Sequence, residues 1–334
     1  MTGSLRNAPL EVDELDVTQI PAGQSGRRLV RIMEDALGRS LCVPAMIHRG
    51  AHPGPVVGIT AAVHGNELNG IQVIHRLLRR LQLDEMKGTI VGVPIVNVPA
   101  YMSRSRTLRE GMDLNRLMPG SEQGNVGRQY AYRLLHRVIE RMDYLIDLHT
   151  ASFGRVNSLY VRANLEHPVA NQMAHWLGPE ILVHNHGADG TLRGSAMDAG
   201  IPAITVEVGD PQKFQRRLIK DSANGLENIL VGLGLCPGEL AEDEEEPVVC
   251  GQSEWIYAEH GGLLEVFPQV TDRVEAGELV ARVISIFGDI VAEYPAPRAG
   301  IVVGKSTDPV CESGARIIHL GYERELETLD LAST

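Results

Sequence analysis

Apolar runs of strand length alternate with segments of helical period along the first two-thirds of the chain. The run "PVVGITAAV" (residues 55–63) is followed by "GIQVIHRLLRRL", where Ile71, Ile74, Leu77, Leu78 and Leu81 form one stripe at helical spacing. "GTIVGVPIVNV" comes next, then a long loop and "GRQYAYRLLHRVIERM", with Tyr130, Leu134, Leu135 and Val138 on one face. "YLIDLHT", "SLYVRA", "HPVANQMAHWL", "EILVHNH" and "AITVEVG" continue the alternation, and a last amphipathic segment runs from about Phe214 to Leu233. Strands that are apolar on both faces and separated by helices predict an α/β fold, with a mostly parallel mixed sheet flanked by helices. Upstream, the pattern from Arg28 to Ile47 alternates around "EDALG" and predicts a hairpin.

The pattern changes after Gly238. An acidic run, "ELAEDEEEP", reads as a solvated linker. Beyond it, short strands broken by glycines ("GGLLEVFPQV", "GELVARVISIFGDIV", "PRAGIVV", "GARIIHLG") show no helical period. The expected organisation is a loose leader over 1–25, a catalytic domain over 26–238, an acidic linker over 239–247 and a small, barrel-like all-β domain over 248–334.

A chain of 334 residues with 43% hydrophobic and 22% charged residues can bury a sizeable core. The formal net charge of −12 argues against nucleic acid as a partner. No apolar stretch reaches membrane-spanning length and no basic-then-apolar signal opens the chain, so no membrane partner and a cytoplasmic location are expected. Cys42, Cys236, Cys250 and Cys311 form no CxxC pair and suggest neither a zinc knuckle nor a disulfide framework.

The candidate chemistry sits where strands end. His64 and Glu67 close the first core strand, and His149 closes "YLIDLHT". Loops after the carboxyl ends of parallel strands converge in open α/β sheets. Two imidazoles and a carboxylate are a common catalytic zinc set, with a fourth position left for water. Asp147, two residues before His149, shares its strand face and can fix the histidine's tautomer. His184 and His186 alternate on another strand and offer a second metal pair, while the other histidines read as surface or core residues.

"HGNE" (64–67), "DLNR" (113–116), "DLHT" (147–150) and "EVG" (207–209), in this order, resemble the succinylglutamate desuccinylase/aspartoacylase family, a branch of the zinc carboxypeptidase-like fold. The resemblance covers about residues 50–235. It implies one zinc per chain on His64, Glu67 and His149, with Glu207 as general base. It further implies that Asn115 and Arg116 hold a substrate carboxylate. Arg106, with Arg104 and Arg109 as rivals, is the expected oxyanion donor, and Arg193 the arginine that precedes the catalytic glutamate. The stretch "ASFGRVN" (151–157), which follows His149, is expected to line the pocket, with Arg155 as an extra anion contact.

The resulting expectation is a zinc-dependent amidohydrolase that removes an acyl group from an N-acyl amino acid or a related small amide bearing a carboxylate. A zinc carboxypeptidase acting on short peptides shares the fold and the metal set. A catalytically silent metabolite-binding homologue is the third reading, and it gives no reason to keep Glu207 beside an intact ligand set. The C-terminal strands resemble half-motifs of biotinyl- and lipoyl-type barrels, but the stretch matching the modified hairpin has no lysine, so no attached cofactor is expected. That domain is expected to shape the active-site entrance or to mediate homo-oligomer contacts.

Overall fold

The computed structural model describes residues 8–187, 189–241 and 246–323. In its first part the strands are β1 (Leu10–Val12), β2 (Gln24–Glu34), β3 (Ser40–Arg49), β4 (His52–Ala61), β5 (Lys87–Val93), β6 (Tyr144–His149), β7 (Arg155–Asn157), β8 (Leu159–Ala163), β9 (Ile181–His184) and β10 (Ala203–Val208). The helices are α1 (Asn69–Leu78), α2 (Val98–Met102), α3 (Val126–Arg137), α4 (Pro168–Trp176), α5 (Leu192–Asp198) and α6 (Arg216–Gly232). The C-terminal strands are β11 (Val248–Tyr257), β12 (Gly262–Val266), β13 (Arg273–Val274), β14 (Leu279–Ile284), β15 (Ile290–Pro295), β16 (Gly300–Ser306), β17 (Val310–Cys311) and β18 (Arg316–Glu323).

One sheet runs β1-β2-β3-β5-β4-β6-β10-β8-β9-β11-β18-β16-β13, with β7 added beside β16. Its centre, β5-β4-β6-β10, is parallel. The β2–β3 hairpin closes over Asp35–Arg39, where the Asp35 N–H donates to Arg39 O and the Arg39 N–H to Asp35 Oδ1. Val57, Ile59, Ile146, Leu148, Ile204 and Val206 are buried on the face covered by α1, α4 and α6, and Val91, Val93, Leu145 and Ala203 on the face covered by α3 and α5. The continuous apolar runs in the sequence follow from that double cover. The C-terminal ends of β4, β6 and β10 all open on the same side. Among the described residues, no helix is long and apolar enough to cross a membrane.

Three expectations differ from the structure. The leader is not loose where it is described: Leu10–Val12 pairs with β2, and Leu15 and Ile20 are buried. Residues 1–7 lie outside the described residues, as do 242–245 of the acidic linker. The helix expected through Met142 ends at Arg137, because Val138 leaves helical geometry and a 3-10 turn, Ile139–Arg141, buries Ile139. Last, residue 238 marks no break in hydrogen bonding. β11 joins β9 in a parallel ladder, and β16 pairs with β7. The four-stranded sheet β15-β14-β12-β17 then packs on β16 and β18 around Val280, Val283, Val302 and Leu320.

Candidate metal and hydrolytic site

β4 delivers His64 through a sharp turn. Ala62 takes a left-handed φ of 52°, a cost of about 1 kcal/mol that surrounding packing must offset. Gly65 lies against the α2 backbone, and a Cβ there would stand 2.1 Å from the Ala100 carbonyl carbon. The "HGNE" glycine is therefore a packing requirement. Glu67 closes the turn through its N–H to His64 O (3.1 Å) and stands two residues before α1. His149 ends β6, in register with Glu207 on β10.

Ligand atoms of His64, Glu67 and His149 lie within 4.8 Å of one another, and all three residues are buried. His64 Nε2 meets Asp113 Oδ1 at 3.1 Å, and His149 Nε2 meets Asp147 Oδ2 at 2.7 Å. Those carboxylates accept, so each Nε2 carries the proton and each Nδ1 of the neutral ring presents a lone pair. Both Nδ1 atoms point at Glu67: 2.8 Å from Oε1 for His64, 3.0 Å from Oε2 for His149. His64 Nδ1 is buried and satisfies no hydrogen bond despite that proximity. Lone pairs facing lone pairs need a proton or a cation between them. A divalent metal fits this donor set.

Protonation follows the same geometry. Burial opposes a charge on His149, but Asp147 and Glu67 outweigh it and hold the imidazole well above its ordinary pKa. Burial likewise opposes charge on Glu67, yet the two imidazoles keep its carboxyl below the usual range. Asp147 is anchored in turn by the Thr60 hydroxyl (2.7 Å).

Glu207 is buried beside this cluster. Asn157 Nδ2 donates to its Oε2 at 3.1 Å, and Arg162 Nη2 stands 3.8 Å from Oε1. Burial raises its pKa, and the Arg162 charge only partly opposes the shift. Of the three rival arginines, Arg106 lines the cavity. Its Nη1 donates to Glu67 (2.9 Å) and Ser152 (2.6 Å), and Nη2 to Asp113 (3.2 Å). Arg116 lines the cavity without an ion pair to any described residue. Asn115 accepts the Leu192 N–H at 2.8 Å, which ties "DLNR" to the start of α5. Arg193, also at that helix start, is 4% exposed and, among the described residues, bonded to Asn185 alone, at its backbone O (2.9 Å) and Oδ1 (2.6 Å). Burial, with Arg162 nearby, pushes its guanidinium down to about 10.

The cavity of about 380 Å³ collects these groups and adds several that sequence reasoning passed over. Asp113 stands inside a quoted motif and mirrors Asp147. Arg162 was signalled only as a charge within the apolar "SLYVRA". The C-terminal strands contribute Trp255, Arg316 and His319. Arg155 and Arg316 flank the Trp255 ring at 5.8 and 5.2 Å, and His319 stacks on it at 5.0 Å. No local pattern marked those three, since only the tertiary ladder brings them here.

The second histidine pair does gather with Glu166. However, the Leu165 N–H donates to His184 Nδ1 (3.1 Å), which leaves the proton on Nε2, the atom that faces His186 at 3.3 Å. A ligating nitrogen needs its lone pair there, so this arrangement is a hydrogen-bonded pair, the reverse of the His64/His149 pattern.

Comparison with known proteins places this geometry. A curated relative, N-alpha-acetyl-L-2,4-diaminobutyric acid deacetylase of Halomonas elongata, is 26% identical over 285 residues, covering 81% of this chain and 83% of the relative. The product-bound structure of the ectoine utilization protein EutE (DoeB) from Ruegeria pomeroyi superposes with a TM-score of 0.81 at 22% identity, covering 91% of this chain and 97% of that one. A succinylglutamate desuccinylase/aspartoacylase structure from Rhodobacter sphaeroides gives a TM-score of 0.81 at 23% identity, covering 91% and 98%. These two likenesses establish the fold. Residues 53–233, more than half of the chain, match the succinylglutamate desuccinylase/aspartoacylase catalytic domain. The chain belongs to that family.

Proposed function

We propose that this protein is a zinc-dependent amidohydrolase, which deacylates an N-acyl amino acid or a related small amide bearing a carboxylate. The observation that carries the reading is the pair of imidazoles whose outer nitrogens are held by Asp113 and Asp147 while their inner lone pairs converge on Glu67. His64, Glu67 and His149 would hold the ion. Bound there, zinc supplies a Lewis acid and lowers the pKa of water from 15.7 to roughly 7.

The chain's own groups do the rest. Glu207, held by Asn157, takes the proton of the attacking water and returns it to the leaving nitrogen. Its raised pKa suits the return step. Arg106 spends three of its five N–H donors on Glu67, Ser152 and Asp113. The remaining two are available to the carbonyl oxygen as negative charge develops, a contact worth about 3 kcal/mol of barrier. Arg116, Asn115 and Arg193 clamp the substrate carboxylate. Arg193 supports this assignment best: a buried cation held only by neutral acceptors favours an anion in the cavity. The C-terminal strands narrow the cavity and favour a small substrate over a peptide. The acetyl-amino-acid chemistry in the name of the Halomonas relative belongs to the same reaction class.

The test is a panel of N-acetyl and N-succinyl amino acids, N-alpha-acetyl-2,4-diaminobutyrate included, assayed with zinc-loaded enzyme for free amino acid. Turnover of at least one, with no shortening of peptides, supports the reading. Release of C-terminal residues from peptides instead would assign carboxypeptidase activity. In the same panel, Arg116→Ala is expected to raise KM at least tenfold for substrates with a carboxylate and to leave neutral amides nearly unaffected. An equal loss for both would make Arg116 structural.

A further inference from the structure

A second concave site lies away from the hydrolytic cavity. It is a cleft of about 910 Å³ between the β2–β3 hairpin and the last turn of α1, a volume that suits a metabolite-sized ligand. Its lining includes Arg27, Arg28, His48, His75 and Arg79 and no carboxylate. None of the three arginines forms an ion pair with any described residue. Arg27 pairs across the hairpin with Met46, two residues before His48, so the Arg27 and His48 side chains leave the same face of the sheet. Like charges gathered at close range raise one another's energy. Here they do so on a chain whose formal net charge is −12, where acidic partners are plentiful elsewhere.

The C-terminus of α1 accounts for part of this cluster. His75 and Arg79 stand in or just past its last turn, where positive charge complements the helix dipole. That leaves Arg27, Arg28 and His48 unexplained. Arg28 turns back on its own strand, Nη1 donating to Arg27 O at 3.0 Å, and His48 Nδ1 has no hydrogen-bond partner among the described residues. Arg27 and its cationic neighbours also depress the pKa of both histidines, after burial itself.

We propose that this cleft binds a small multivalent anion bearing phosphate or carboxylate groups, held by Arg27 and Arg79 with His48 and His75 as neutral or charged donors. It stands about one helix length, ~15 Å, from the Glu67 end of α1. The ligand is thus a second molecule and not the hydrolytic substrate.

The probes are inorganic phosphate and tricarballylate, each titrated calorimetrically into the zinc-loaded full chain. Arg27→Ala/Arg79→Ala and Arg116→Ala serve as variants. Arg27 and Arg79 are exposed, so the double variant is expected to fold, as circular dichroism would check. The proposal expects saturable binding of at least one probe, about tenfold or more weaker in the double variant and unchanged in Arg116→Ala. Preference for phosphate or tricarballylate then identifies the anion's source. No saturable binding, binding that survives in the double variant, or binding lost with Arg116→Ala would each overturn it, the last by assigning the anion to the hydrolytic cavity.

Discussion

At the scale of single residues, Glu207 combines two demands that oppose each other. Burial raises its pKa, so the ionised carboxylate that a general base requires is also a destabilising group in the folded state. The sign follows: folding favours the protonated form, so this stabilisation is full below the unfolded pKa and lost as pH rises through the folded one. Glu207→Gln should retain the metal and lose turnover by about 10²–10⁴, with a Tm at or above wild type at pH 8. The Tm difference should close as pH falls toward 4. Equal turnover would remove Glu207 from the mechanism, and a Tm well below wild type at pH 8 would refute the burial argument. Asp113 offers a separate check. Asp113→Ala leaves the three ligands in place but frees His64 Nε2, and zinc affinity should fall by about 10–100-fold. Unchanged affinity would show that the Asp113 contact does not orient the ring.

At the scale of elements, legibility in the sequence depended on how local the signal was. The α1 stripe and the β4, β6 and β10 runs were readable because burial on two faces leaves a continuous apolar pattern in one segment. His64, Glu67 and His149 were readable because they end such runs. The order in the leader leaves no local signal because β1 is only three residues long and mostly exposed, while Leu15 and Ile20 bury alone between turns. The junction at β9–β11 was invisible for another reason. "VVC" at 248–250 looks like any short strand, and only pairing with Ile181–Val183 makes it part of the catalytic sheet. That pairing yields a prediction. A chain ending at residue 241 would expose the β9 edge and strip cover from Tyr160, Ile181 and Val183, which pack on Cys250, Ile301 and Val303. It should aggregate on expression, as an uncovered apolar edge strand does. A soluble, monomeric truncation with native far-ultraviolet circular dichroism would mean that the catalytic part folds independently.

At the scale of the whole molecule, a net-acidic chain gathers six arginines around one cavity. Arg106, Arg116, Arg155, Arg162, Arg193 and Arg316 line it, supplied by loops, by β7, β8 and α5, and by the C-terminal β18. The fold therefore assembles one cavity from segments more than 200 residues apart in sequence, with Glu67, Asp113, Asp189, Glu207 and Glu254 set among the arginines, which is why Trp255, Arg316 and His319 could not be read from any motif. The central claim is that a metal completes the His64–Glu67–His149 cluster. It is tested most directly by elemental mass spectrometry after zinc reconstitution and desalting, on the wild type and on His149→Ala. The account predicts about one zinc per wild-type chain and a clear loss in the variant. A wild-type chain that retains no zinc, or a variant that retains as much as wild type, would contradict it.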